Sequence, residues 1–127
     1  MEDISEQWVE RAEYDIQTAE AMFKAGRYLY VLFCCQQAVE KALKAVIVKK
    51  TGKMPPRIHN LPRLAEVARI ETNSEQARFL AELSAYYIQT RYPEEIKAVG
   101  STISQELAST ILGKTEQTIT WALSILQ

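Results

Sequence analysis

The sequence is short of the residues from which most active sites are made. It has one histidine, His59, and two cysteines, Cys34 and Cys35, in 127 residues. A lone histidine excludes the paired Glu-x-x-His motifs of a di-iron bundle and any multi-histidine zinc site. Adjacent cysteines on a helix point about 100° apart, so they supply neither a disulfide framework nor a zinc knuckle. A Cys–His nucleophile pair competes with the ordinary reading of helical cysteines as inert packing. The glycines Gly26, Gly52, Gly100 and Gly113 stand apart, which excludes a glycine-rich phosphate loop. The longest unbroken apolar run, Tyr28 to Cys35, has eight residues, far short of the ~20 that cross a bilayer. No apolar segment follows the acidic start Met1-Glu2-Asp3, so no signal peptide is read there. With no metal site, cofactor motif or membrane segment, a cytoplasmic setting is expected.

An excess of one charge is also lacking, since 15 bases face 16 acids. The distribution is uneven. Through Glu20 there are seven acids against Arg11 alone, whereas from Lys24 to Arg69 there are ten bases against Glu40 and Glu66. A basic middle can meet phosphate, or an acidic first helix can pack beside a basic second one so that the field cancels internally.

What is present is helical periodicity. With four glycines, four prolines and 47% apolar residues, the chain reads as all-α and as one domain over residues 1–127. A first helix is expected from Asp3 to Ala25, with Trp8, Ala12, Ala19 and Phe23 at helical spacing and Gly26 as its cap. A second runs from Arg27 to Thr51. Its first half is apolar all round and should be surrounded by protein, and Gly52 ends it. Pro55-Pro56 break the chain, and a short helix from Asn60 to Ile70 follows, capped by Asn60. A fourth helix starts at Asn73 or Ser74 and ends near Arg91, because Pro93 disfavours the helical conformation at Tyr92. The Thr102–Gln105 spacing reads as a capping box opening a fifth. Four long helices and one short one predict an up-and-down four-helix bundle with an additional short helix.

Two features carry candidate chemistry. Arg91 extends the stripe of Leu80, Leu83 and Tyr87 by one turn, either as a C-terminal dipole partner or as a planar fork for phosphate. His59 opens the short helix, either bridging backbone groups or acting as a general acid or base. Gln36, Gln37, Glu40, Lys41 and Lys44 lie along the second helix. Glu40 and Lys44 have the spacing of a solvated pair worth a few tenths of a kcal/mol.

These elements together resemble the HEPN family, the higher eukaryotes and prokaryotes nucleotide-binding domains. The resemblance rests on Trp8, Ala12 and Asp15, on the run from Gln36 to Lys44, on His59-Asn60-Leu61 with Leu64, and on Tyr87 with Arg91-Tyr92-Pro93. It implies a homodimer and partnership with a small nucleotidyltransferase, as in a toxin–antitoxin pair. Catalytic members are metal-independent ribonucleases that use an arginine and a histidine separated by four to six residues, with two protomers completing the site. Arg91 matches the arginine, but Ile96 to Ala98 contain no histidine and none follows. The resemblance therefore implies a noncatalytic binder of a nucleotide or RNA phosphate, with Arg91, Tyr92, Tyr87, Gln37, Lys41 and Lys44 as ligand contacts. The alternatives are a ribonuclease that pairs Arg91 with a substitute proton carrier, Tyr92 or His59, and an oligomerisation scaffold.

Overall fold

The computed structural model describes residues 3–89 and 103–127. Asp3 opens α1 (Ile4–Lys24). Its carboxylate accepts from the hydroxyl and the backbone N–H of Ser5, both at 2.9 Å. These bonds satisfy a donor left open at the helix start and hold the Asp3 carboxyl below its ordinary range. At the far end Gly26 takes a φ of 75°. The turn lets the Arg27 N–H reach Met22 O at 2.8 Å and the Gly26 N–H reach Phe23 O at 3.1 Å, the closure expected of a glycine after a helix.

The second helix, α2 (Tyr28–Thr51), ends on Gly52 with φ 69°. It runs antiparallel to α1, because Asp15 pairs with Lys41 at 2.6 Å while the earlier Asp3 pairs with the later Lys49 at 3.8 Å. The acidic first helix thus lies along the basic second one. Ala12 and Ala19 of α1 and Ala38, Ala42 and Ala45 of α2 are fully buried.

The short helix α3 (Leu61–Val67) is capped as expected, with Asn60 accepting from the Arg63 N–H at 3.0 Å. It stops before Ile70 because Arg69 adopts φ 55°. From there the Ile70 N–H returns to Ala65 O at 3.1 Å. The apolar pattern did not disclose a left-handed arginine, a conformation that costs about 1–2 kcal/mol without glycine. Arg69→Gly is accordingly expected to stabilise the fold by about 1 kcal/mol. Thermal unfolding checks this, and a lower Tm would mean that the side chain contributes more than its backbone costs.

Asn73 and Gln76 open α4 (Ser74–Gln89) with a reciprocal capping box at 3.0 and 2.8 Å. The last helix, α5 (Gln105–Ser124), is capped by Ser104, which accepts from the Leu107 N–H at 3.0 Å. Its start therefore differs from the Thr102–Gln105 reading, since Gln105 is the first helical residue and Ser104 is itself a good cap. The expected end of α4 near Arg91 lies outside the described residues.

Among the described residues, four long helices and the short α3 pack on one core that includes Leu32, Leu43, Leu64, Leu83 and Ile111, and α2 touches each of the other four. The start of α2 is not enclosed as expected: Tyr30 is 56% exposed, and Leu29 and Phe33 are half-buried. Continuous burial falls between Ala42 and Ile47 instead, because the segment 54–60 and α3 fold back against the second half of the helix.

Candidate functional site

Gln36, Glu40 and Lys44 recur every four residues and so share one stripe of α2. The stripe continues a buried row that includes Leu32, Leu43 and Ile47, and all three polar residues are buried with it. This corrects the solvated reading of Glu40 and Lys44. Lys44 Nζ meets Glu40 Oε2 at 3.1 Å, with side chains only 7% and 4% exposed. The ammonium also lies 5.6 Å from the centre of the Trp8 ring. A buried charge must be paired and hydrogen-bonded to be tolerated. Glu40 meets that demand through both oxygens, because Oε1 accepts from Gln36 Nε2 at 3.3 Å and contacts His59 Nδ1 at 2.8 Å.

His59 is held from two helices and the chain before α3. Its carbonyl accepts from Gln36 Nε2 of α2 at 3.1 Å and from the Ser84 hydroxyl of α4 at 3.5 Å. The next residue but one, Leu61, donates its N–H to the same hydroxyl at 3.2 Å. The imidazole stacks on Tyr87 of α4, with centroids 4.6 Å apart, and Tyr87 stacks in turn on Phe33 at 6.3 Å. A carboxylate paired with an ammonium only accepts, so Nδ1 carries the proton in the Glu40 contact, and Nε2 makes no hydrogen bond among the described residues. The His59 side chain is 46% exposed. An oriented imidazole can hydrogen-bond or exchange a proton through Nε2.

The other sequence candidates fall differently. Gln37 donates to Gln36 Oε1 at 2.8 Å and so extends the same network. Lys41 is engaged by Asp15, and Lys44 by Glu40, so an anion would have to compete with a carboxylate for either. Arg91 and Tyr92 lie outside the described residues. Sequence reasoning missed Glu40, Gln36 and Ser84 as the supports of His59. The available signal was three polar residues placed on a stripe that is otherwise apolar.

Burial pushes the Cys35 thiol up to about 12 and raises Cys34 as well, so neither is an activated nucleophile. Among the described residues no three His, Cys, Asp or Glu side chains are grouped to hold a metal ion, and no helix is long and apolar enough to cross a membrane.

Comparison with solved structures places the fold beside the crystal structure of TT1696 from Thermus thermophilus. The TM-score is 0.85 over 98% of this chain and 100% of that one, at 21% identity, a likeness of fold. A comparison with curated proteins finds no match. The model of the HEPN domain matches residues 5–126, nearly the whole sequence and every helix that positions His59. On that match, the chain belongs to the HEPN family.

Proposed function

We propose that this HEPN protein is a noncatalytic dimer that binds RNA or a nucleotide at the face where His59 and Tyr87 stack. The observation that carries the reading is the half-exposed imidazole fixed by the buried Glu40, with an aromatic ring on its flank. Tyr87 and His59 take the base, and Arg91, four residues beyond Tyr87 in sequence, takes the phosphate with its planar fork. Dimerisation is supported by exposed tyrosines on α1 and α2, Tyr14 at 69% and Tyr30 at 56%. A small nucleotidyltransferase is the protein partner that the family suggests, as in a toxin–antitoxin pair. Titration with ATP and with short single-stranded RNA at physiological salt tests the ligand. Binding weakened about tenfold or more by Tyr87→Ala is expected, since a stacked base contributes about 1–3 kcal/mol. Absence of binding to either ligand would defeat the reading.

The Glu40–His59 contact favours a second reading, a metal-independent ribonuclease in which His59 replaces the histidine that does not follow Arg91. Loss of a proton carrier ordinarily sacrifices about 10² to 10⁴ in rate, so His59→Gln separates the two. Metal-free RNA cleavage that disappears in His59→Gln and Arg91→Ala would establish the enzyme. Cleavage retained in His59→Gln would point to Tyr92, and no cleavage of any RNA leaves the binder. The scaffold reading, in which the exposed tyrosines serve oligomerisation alone, requires association without any ligand binding. Sedimentation as a monomer at micromolar concentration would remove both scaffold and dimer.

A further inference from the structure

We propose a second phosphate-binding surface at the C-terminal end of α2, where Lys50, Lys53 and Arg69 line a groove that takes the backbone of single-stranded RNA. The groove has a volume of about 400 Å³ and a floor that includes Ile47, Met54 and Val67. Lys50 Nζ donates to the Arg69 carbonyl at 3.2 Å, which ties the end of α2 to the chain after α3. Of the ten bases between Lys24 and Arg69, Lys41, Lys44, Lys49 and Arg63 are each paired with a carboxylate. Lys50, Lys53 and Arg69 make no ion pair among the described residues, and no described carboxylate lines the groove. Three like charges gathered without a counter-charge repel one another, so the arrangement favours a bound anion. Their complementing the α2 dipole accounts for Lys50 in the last turn, but Lys53 and Arg69 lie beyond that helix.

Arg69 supplies an independent argument. It holds a φ of 55° where glycine would be less strained. An arginine kept there at a conformational cost points to a use for its side chain, and a guanidinium fits phosphate bidentately. The apolar floor, with Met54 68% exposed, suits a sugar or base edge between phosphates. Lys50 lies ten residues beyond Glu40 on α2, about 15 Å by helical rise, a distance within reach of a bound segment of ~4–16 nucleotides.

The choice of RNA as the anion rests on the function proposed above, and the test keeps the two apart. A fluorescein-labelled 12-nucleotide single-stranded RNA is titrated against wild type, Lys50→Gln/Lys53→Gln/Arg69→Gly and Tyr87→Ala across a range of salt concentrations. The triple variant is expected to bind about tenfold or more weakly at low salt. Its salt slope should fall by about 2, as three single-strand phosphate contacts are lost at ~0.7 each. Arg69→Gly alone should bind more weakly while melting higher, a combination that a merely structural arginine does not produce. An unchanged affinity and slope in the triple variant, with Tyr87→Ala impaired, overturns the groove and spares the His59 site. The reverse pattern supports the groove and defeats the His59 site. Failure of wild type to bind the RNA overturns both, and groove-dependent binding of an aspartate-rich peptide in its place would assign the surface to a protein.

Discussion

Glu40→Ala is expected to remove about 3–5 kcal/mol of stability, the cost of leaving one member of a buried ion pair without its partner. The Lys44 side chain, 7% exposed, would keep its ammonium in a site with no other described carboxylate in contact. The same change strips the acceptor from His59 Nδ1 and one of two acceptors from Gln36 Nε2, which keeps the His59 carbonyl. Against a total of about 5–15 kcal/mol for an ordinary domain, that loss approaches the whole margin of stability. Urea unfolding followed by circular dichroism measures it, with m unchanged if only stability moves. A double variant, Glu40→Leu with Lys44→Met, should recover most of the loss, because a well-packed apolar pair replaces a buried ionic one at little net cost. A loss under about 1 kcal/mol for Glu40→Ala would place the pair among water-screened ones and contradict its burial.

The second large effect is expected at Leu43, one position before Lys44 and fully buried. Leu43→Ala should cost about 2–5 kcal/mol, the lost transfer of the removed atoms plus the cavity left behind. Relaxation into that cavity is limited, since α2 is bounded by the four other described helices and none can close the gap without disturbing another contact. Equilibrium urea unfolding again gives the value. A result below about 1 kcal/mol would deny α2 its place at the centre of the core. The loss at Leu43 is apolar in origin, so added salt should not screen it away.

Much of the fold was legible because helix ends are written in short stretches of sequence. Gly26, Gly52 and Asn60 each act within a few residues of themselves, and a local device reads the same before and after folding. The start of α5 departs from the Thr102–Gln105 reading because Ser104, next to the first helical residue, caps the helix. The shorter α3 turned on Arg69, a residue whose type gives no notice of a left-handed backbone. Arg91, the strongest sequence candidate, lies outside the described residues, so the site that emerged is centred on the other candidate, His59.

Local pattern was enough for an all-α chain, the order and most of the limits of its helices and the lack of a histidine after Arg91. These follow from periodicity, caps and composition, which need no knowledge of neighbours. Long-range packing was needed to make Glu40 and Lys44 core residues, to rest His59 on Glu40, and to bring Lys50, Lys53 and Arg69 into one groove. The i,i+4 spacing of Glu40 and Lys44 is the same on a wet helix face as on a dry one. What separates the two is the packing of residues distant in sequence, His59 against Glu40 and Trp8 against Lys44, which no local pattern encodes.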